Sequence, residues 1–201
     1  MVGFEPMQNQ NKRKKILDAA THVFAEKGFH QAKMDDIAQR AQVAKGTLYY
    51  NYSSKSKLFA ATVTGGMDEI MASISHEMES ELPFIEHFRL LVSCTIRLYL
   101  HHSQVTRIYS NELSIGIDSE TLDEIKKARQ RFIEFISDML LTGQEKGYLK
   151  PLNPRLSALA LVGIVDSLCN AHLNESNASS SDEIINTVFC ILSEGLVNHS
   201  K

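Results

Sequence analysis

Apolar residues recur at three- and four-residue intervals through nearly all of this 201-residue chain from Lys12 onward. This spacing lines one face of an α-helix with apolar side chains, whereas a half-buried strand needs strict alternation. No segment shows a convincing alternation or a hairpin turn. The pattern therefore predicts an all-α fold.

Interruptions of the pattern give the expected helix bounds. They fall near Pro83, near Gly116 and in the segment GYLKPLNP at 147–154, while Gly28 followed by Phe29 predicts a left-handed end to the first helix. After a mobile tail at residues 1–11, we expect helices near 12–27, 34–41, a short one from Lys45, and then 55–80, 84–102, 104–115, 119–146, 154–173 and 182–199.

The short helix from Lys45 follows its predecessor after only three intervening residues. Two short helices joined by so tight a turn are typical of a helix-turn-helix. Leu48 and Tyr52, four residues apart, would share the buried side with Val43. Tyr49, Tyr50 and Asn51 would then face outward.

Charge is distributed unevenly along the chain. Residues 1–57 carry ten Lys and Arg against five Asp and Glu, a net of +5, whereas the remainder carries −8. Such asymmetry favours contact of the first part with a polyanion, although a chance cluster on a solvated face would look the same.

Two consecutive helix starts carry lysines, Lys45 in one and Lys55 with Lys57 in the next. The N-terminal end of a helix is positively polarised, so a lysine there is poorly matched unless an anion joins it. Phosphate groups docking on these turns would remove the mismatch. Simple solvation of the lysines is the alternative, and the run Lys12–Lys15 could serve either as a solubilising arm or as a DNA contact.

Cysteine usage and the N-terminus point to the cytoplasm. Cys94, Cys169 and Cys190 are far apart and lie among apolar residues, which favours reduced core thiols over disulfides or a metal site. Residues 1–15 lack the apolar stretch of a signal peptide, and uninterrupted apolar runs are too short for a membrane span. We expect neither metal nor cofactor, and no membrane association.

The segments ILDAATHVFAEKGF and MDDIAQRAQVAKGTLYYNYSSKSKLF strongly resemble the DNA-binding part of the tetracycline-repressor (TetR) family of bacterial regulators. The resemblance covers roughly residues 12–60. It implies an N-terminal three-helix helix-turn-helix domain at 12–57 and a helical ligand-binding and dimerisation domain at 58–201. The implied function is a homodimeric repressor that leaves a palindromic operator when a small effector binds.

The resemblance also assigns positions for contact with double-stranded operator DNA. Carried over by position, these are Lys45, Gly46, Thr47, Tyr49, Tyr50, Asn51 and Lys55, with Lys55 on the usual phosphate-contacting lysine. Either tyrosine could instead pack on a neighbouring helix. Two positions depart from the family pattern, because Gln42 stands where a glycine is common and Ala44 where a capping serine is common.

An effector pocket between helices should be mainly apolar with a few polar groups. Polar candidates are His87, Arg97, Tyr99, His101, Tyr109 and Glu112, and the full pocket prediction comprises Met67, Met71, Phe88, Leu91, Arg97, Tyr109, Phe132, Phe135 and Met139. For each of these residues a plain core or surface role is the alternative. The effector is expected to be apolar or amphipathic.

The segment RLSALALVGIVDSLCNA at 155–171 is apolar on nearly all sides, so it must be covered on all sides. The last helix and the same pair of helices from a second subunit would cover it in a four-helix dimer interface. We predict the interface residues to be Leu159, Val162, Gly163, Asp166, Ile185, Phe189, Leu192 and Leu196. The alternative is a central buried helix in a monomer.

Two other classes of protein fit less well. A ferritin-like di-iron enzyme needs Glu-x-x-His pairs on its core helices, and none of the glutamates has a histidine three residues later. A helical adaptor using the basic arm would leave the helix-turn-helix spacing unexplained. The sequence does not disclose the effector, the operator, the regulated genes or the sign of regulation.

Overall fold

The computed structural model describes residues 7–78, 82–101, 117–174 and 179–198. Over these residues the chain forms eight α-helices, and its one β-type pairing there is an isolated bridge between Leu149 and Val197. The prediction of an all-α fold is confirmed. The helices are α1 Met7–Gln31, α2 Met34–Arg40, α3 Lys45–Asn51, α4 Lys55–Glu77, α5 Phe84–His101, α6 Ser119–Glu145, α7 Pro154–Asn174 and α8 Ser181–Leu196.

Helix α1 differs most from the prediction, because it begins at Met7 rather than at residue 12. Residues 7–11 are therefore helical and not part of a mobile tail. Met and Gln favour helix even without an apolar stripe, so periodicity gives no signal for residues 7–11. The predicted helix at 104–115 lies outside the described residues, and the remaining helices start within one residue of their predicted positions.

Gly28 breaks α1 as the sequence predicts. Its φ of 71° and ψ of 169° are non-helical, and positive φ is accessible to glycine without steric cost. The chain turns there so that Phe29 is buried directly after the break.

Of the described residues, 7–65 and 117–126 belong to one compact unit, and those from 66 to 101 and from 127 to 198 belong to a second. The predicted domain boundary after Lys57 falls inside α4 and inside the first unit. In that unit α1 packs on α2, and α2 packs on α3. Phe24, Phe29 and Phe59 form an aromatic cluster in which the Phe59 ring centroid lies 5.2 Å from that of Phe24 and 5.1 Å from that of Phe29.

The second unit is built on α5, which packs against α7 and α8, while α7 and α8 pack against each other. Its apolar core includes Ile96 on α5, Ile136 on α6, Leu161 on α7 and Val188 on α8. Fully burying such a side chain contributes about 1.5–3 kcal/mol to folding, so interlocking of these four helices holds the unit together.

Helix α7 is the one described helix that is long and apolar enough to cross a membrane, judged by length and composition alone. Within Pro154–Leu173 the mean hydropathy is 1.5 and 33% of the segment is buried. One face supplies core residues such as Ala158, Leu161 and Val165. Long apolar helices of this kind also occur in protein cores, and the opposite face here remains exposed.

The turn after α6 is fastened to the end of α8. The Lys150 backbone N–H donates to the Leu196 carbonyl at 2.8 Å, and the Asn198 N–H donates to the Tyr148 carbonyl at 2.8 Å. Lys150 Nζ also donates to the Glu194 carbonyl at 2.7 Å. The two bonds that Lys150 donates satisfy carbonyl groups that the end of α8 leaves without helical partners.

Gln42 ends α2 in the left-handed region, with a φ of 55°. The Val43 N–H donates to the Ala38 carbonyl at 3.0 Å and the Gln42 N–H donates to the Gln39 carbonyl at 3.1 Å, a pairing typical of a Schellman end. Glycine occupies such positions without strain, whereas an L-residue with a side chain is disfavoured there.

Gln42→Gly is therefore expected to stabilise the protein. Relief of left-handed strain contributes about 1–2 kcal/mol and the added freedom of the unfolded chain removes about 0.5–1 kcal/mol, which leaves a gain of roughly 0.5–1 kcal/mol. Urea unfolding followed by circular dichroism at one fixed protomer concentration measures this gain.

Gln39→Gly provides the matched control, because Gln39 is exposed like Gln42 but lies inside α2 with helical geometry. Glycine there should lower the free energy of unfolding by about 1 kcal/mol. Equal losses from both substitutions would show that Gln42 is not strained.

Candidate nucleic-acid interface and ligand cleft

Helix α3 presents two tyrosines to solvent. Tyr50 has 86% of its surface exposed and Tyr49 has 43%, while Leu48 is fully buried and Tyr52 nearly so. This division matches the predicted inward and outward faces. A large aromatic side chain left almost wholly in water on a surface helix is available for contact with a partner.

The other predicted contacts on α3 are less open. Gly46 is exposed, whereas Thr47 and Asn51 are half-buried. Asn51 Nδ2 donates back to the Thr47 carbonyl at 2.8 Å. Part of the hydrogen-bonding capacity of Asn51 is therefore used within the helix, and its amide oxygen remains the atom to consider for an external donor.

The start of α3 has no side-chain cap, because Ala44 occupies the capping position. Lys45 instead pairs with Asp35 of α2, with Nζ 2.7 Å from Oδ1. The hydrogen bond and the charge of Asp35 raise the pKa of Lys45. Both side chains are more than half exposed, so the pair is weak and separable.

Lys55, at the start of α4, binds carbonyl groups at the end of α1. Its Nζ donates to the carbonyls of His30 and Ala32, each at 3.2 Å, and lies 4.6 Å from the centroid of the Phe29 ring. Partial burial lowers the pKa of Lys55. The ammonium thus caps carbonyls where the helix dipole is negative, which is a favourable position for a cation.

Lys57, two residues later, also has protein partners. Its Nζ lies 2.7 Å from Glu124 Oε1 and 3.1 Å from Glu120 Oε1, both on α6. The Ser54 hydroxyl accepts from the Lys57 backbone N–H at 3.1 Å, so Ser54 caps the start of α4.

The two roles inferred from the sequence for these lysines, phosphate contact and simple solvation, did not include the partners that they have within the protein. Carboxylates hold Lys45 and Lys57, and backbone carbonyls hold Lys55. No local pattern indicates the partners of Lys57, since Glu124 is 67 residues away along the chain.

The basic run Lys12–Lys15 lies on α1 and is exposed throughout. Because a helix turns once every 3.6 residues, four consecutive side chains surround the helix axis instead of forming one patch. Lys12 and Lys15 share a face, and only part of the run can meet a given surface.

A cleft with a volume of about 500 Å³ opens in the second unit. Its lining comes from the end of α4, the start of α5 and the end of α6, and comprises Ser75, Met78, Leu82, Phe84, His87, Phe135, Met139, Thr142, Gly143, Lys146 and Tyr148. Apolar side chains form much of the wall. None of these described lining residues is acidic, whereas Lys146 carries a positive charge.

Gly143 lets the cleft wall pack tightly. A Cβ at this position would lie 2.9 Å from Leu149 Cδ1 and 3.2 Å from Phe84 Cε2. The Phe84 ring stacks on Tyr148 with a centroid distance of 4.9 Å and on Phe88 at 6.1 Å. A stack of rings thus runs from the exposed edge of the cleft into the core.

The predicted pocket residues fall into several places. Phe135 and Met139 line the cleft, whereas Phe88, Leu91 and Phe132 are buried in the core and Met71 packs against it. Met67 is half-buried. Arg97 lies in a separate polar cleft, where it pairs with Asp182 at 3.2 Å. The positions of Tyr109 and Glu112, and of the His101 side chain, lie outside the described residues.

Periodicity alone could not separate core residues from lining residues, because both sets are apolar and share helical spacing. Of the wider polar candidates, His87 lines the cleft and Tyr99 is buried in the core. Phe84, Gly143, Lys146 and Tyr148 were missed, since each lies near a helix end where no periodic signal remains.

The predicted dimer interface is divided between core and surface. Val162, Ile185 and Leu192 are buried within the protomer, and Phe189 and Leu196 pack partly against its core. They face inward because they lie on the sides of α7 and α8 that pack together. Asp166 is half-buried and paired with Arg129 of α6.

Leu159 and Gly163, by contrast, are exposed on α7. Leu156 on the same helix and Ile191 on α8, which are not among the eight predicted interface residues, are exposed as well. Large apolar side chains left in water on two adjacent helices indicate a surface for a partner.

The cysteines have different surroundings. Cys169 is buried, and burial with the charge of Asp166 raises its pKa to about 12. Burial also raises the pKa of Cys94, whereas Cys190 is exposed. Within the described ranges no group of three or more His, Cys, Asp or Glu side chains is placed to hold a metal ion.

Comparison with known proteins accounts for both units. The family described as bacterial regulatory proteins, tetR family, matches residues 16–62, and a tetracyclin repressor-like C-terminal domain matches residues 81–170. YhgD of Bacillus subtilis, an uncharacterized HTH-type transcriptional regulator, is 27% identical over 158 residues, which cover 79% of this chain and 82% of that protein.

Two further relatives add detail. The HTH-type transcriptional activator FasR of Mycolicibacterium smegmatis is 26% identical over 180 residues, covering 89% of this chain and 80% of that protein. FadR of Bacillus subtilis, solved in complex with stearoyl-CoA, has a TM-score of 0.76 at 22% identity and covers 90% of this chain and 98% of that one, a likeness of fold. With both of its matched segments drawn from one family of regulators, the chain belongs to the tetR family of bacterial DNA-binding transcriptional regulators, which are not enzymes.

Proposed function

We propose that this protein is a repressor in the bacterial cytoplasm that leaves a palindromic operator when an anionic amphipathic ligand binds. Members of its family bind operator DNA as dimers and respond to small molecules. The observation that carries the proposal is Tyr50, which α3 holds 86% exposed beside Tyr49.

In the proposed complex, α3 lies in the major groove. The Tyr50 ring edge meets a thymine methyl, and tyrosine hydroxyls bond phosphate or base edges. Gly46 allows close approach at the start of the helix, and Lys45 reaches phosphate when it separates from Asp35. Two copies of α3 reading one palindrome must lie about 34–36 Å apart, one turn of DNA.

The dimer is proposed to form through the exposed faces of α7 and α8. Leu156, Leu159 and Ile191 supply apolar surface, and Gly163 lets a second helix approach closely. Burial of each large side chain removes apolar surface from water, which favours association at about 25 cal/mol per Å² before the entropy of binding is subtracted.

The ligand is proposed to be of fatty-acyl type and to occupy the cleft. The cleft is walled by Phe84, Phe135 and Met139, which suit a hydrocarbon chain, and Lys146 suits an anionic group. The stearoyl-CoA complex of FadR supports this ligand class for a protein of the same fold. To release DNA, the ligand must prefer the state with the wrong spacing of α3, with a coupling of about 1–3 kcal/mol.

The alternative to repression is activation of transcription, since FasR is named an activator. A reporter placed behind the selected operator separates the two. Deletion of the regulator should raise expression from a repressed promoter, whereas loss of expression would assign activation.

Tyr50→Ala should weaken binding to a duplex selected from a random pool by about 5- to 100-fold, and leave binding to unselected DNA nearly unchanged. Fluorescence anisotropy at fixed salt measures both. Tyr148→Ala removes an exposed tyrosine from the second unit and should change neither affinity. Equal losses on both DNAs from Tyr50→Ala would exclude Tyr50 from base reading.

Ser75→Trp should weaken the binding of stearoyl-CoA at least tenfold, because an indole would fill the cleft from its exposed edge. The chain has no tryptophan, so the new indole also reports ligand through its emission. Ser73→Trp is the matched control, exposed on α4 but not part of the lining. A ligand that binds both variants equally and shifts neither emission does not occupy this cleft.

Gly163→Glu should convert the dimer to monomers in sedimentation velocity. A Cβ at Gly163 meets no atom within 4 Å in the protomer, so the substitution leaves the protomer core intact. Leu141→Glu places the same charge at an exposed leucine of α6 and should leave the dimer unchanged. Persistence of a Gly163→Glu dimer would move the interface elsewhere.

A further inference from the structure

Lys57 is the helix-start lysine most firmly held by carboxylates. Glu124 Oε1 lies 2.7 Å and Glu120 Oε1 3.1 Å from its Nζ, and only 30% of the Lys57 side chain is exposed. Lys45, by comparison, has one carboxylate partner, and both members of that pair are more than 60% exposed.

A third carboxylate adds to this group. Asp118 caps α6, accepting from the Thr121 N–H at 2.8 Å and from the Thr121 hydroxyl at 2.9 Å. These bonds, together with the nearby charge of Lys57, lower the pKa of Asp118, while Glu124 and Glu120 raise the pKa of Lys57. One ammonium therefore lies near three carboxylates, those of Asp118, Glu120 and Glu124.

Lys57 is the third residue of α4. It lies two residues beyond Lys55 and six beyond Asn51, where α3 ends. A duplex read by α3 brings phosphates toward this segment. A phosphate near Lys57 meets the repulsion of Glu120 and Glu124, or else must separate Lys57 from them.

We propose that Glu120 and Glu124 set the affinity of this protein for DNA by competing with phosphate for Lys57. The inference rests on the proposed docking of the α3–α4 segment on DNA. In this arrangement the two glutamates keep the affinity for DNA lower than it would be if Lys57 were free to bind phosphate. Any movement of the start of α6 away from α4 then frees a phosphate-binding cation.

Salt dependence distinguishes this role from a general change of charge. Each lysine that newly neutralises a phosphate releases a counterion and steepens the slope of log Kobs against log[salt] by about 0.9. A carboxylate that merely lies near the duplex changes affinity but adds no such contact.

The test uses Glu120→Gln/Glu124→Gln in the full chain, with a selected duplex and a random-sequence duplex. We expect roughly fivefold tighter binding to both at low salt and a slope steeper by about 0.9. Asp123→Asn/Glu134→Gln removes two exposed carboxylates from the same helix and is the matched control. It should shift affinity less and leave the slope unchanged.

Lys57→Gln is tested in both the wild-type and the Glu120→Gln/Glu124→Gln backgrounds. In the wild-type background it should change the slope little, because the lysine is already neutralised. In the Glu120→Gln/Glu124→Gln background it should abolish the gain in affinity and restore the original slope. A gain that survives the loss of Lys57, or one that the control variant reproduces, overturns the proposal.

Two further measurements distinguish loss of the fold, failure of this inference and failure of the proposed docking on DNA. Thermal unfolding of each variant checks that the fold is retained, as expected for partly exposed side chains. If Tyr50→Ala weakens the selected duplex while the glutamate variants change nothing, this inference fails and the docking stands. If neither set of variants alters binding, both the inference and the docking of α3 are wrong.

Discussion

Three phenylalanine rings pack together at the centre of the first unit, beside the segment proposed to read DNA. Phe24 and Phe29 lie on either side of the break at Gly28, and Phe59 of α4 packs edge-on against Phe24. Each such ring pair contributes about 0.5–1.5 kcal/mol beyond the area it buries. The cluster fixes the start of α4 against the end of α1, and α2 and α3 pack outward from α1, so the orientation of Tyr50 depends on this packing.

Electrostatic contacts of Lys55 add to the packing of the aromatic cluster. Lys55 lies over Phe29 and caps the carbonyls of His30 and Ala32, so the cation that a helix start would disfavour stabilises the end of another helix. Lysines do occupy positively polarised helix starts, as the sequence indicates. Contacts within the protein already stabilise these lysines when no DNA is present. In the proposed DNA-binding surface, Tyr49 and Tyr50 are the exposed side chains, whereas Lys45, Lys55 and Lys57 already have partners in the protein.

The sequence predicted the starts of α2 to α8 to within one residue, and the exposed face of α3, because both are local properties. Caps, breaks at Gly28 and Pro83, and the spacing of Leu48 and Tyr52 are readable within a few residues. The partners of Lys57 and the wall of the cleft are not local, since they join residues far apart in the chain. Val162 and Gly163 show the limit most clearly, because adjacent apolar positions on α7 differ in burial and composition alone could not assign the faces.

The bonds that tie the turn after α6 to the end of α8 have a further consequence. The Tyr148 carbonyl, at the edge of the cleft, accepts from the Asn198 N–H, and the Lys150 N–H donates to the Leu196 carbonyl, so two backbone hydrogen bonds join the cleft wall to the end of α8. Where two copies associate through α8, occupancy of the cleft and subunit association become thermodynamically linked. By reciprocity, dilution toward monomers must then change the apparent dissociation constant of the ligand by the same factor that the ligand changes dimerisation.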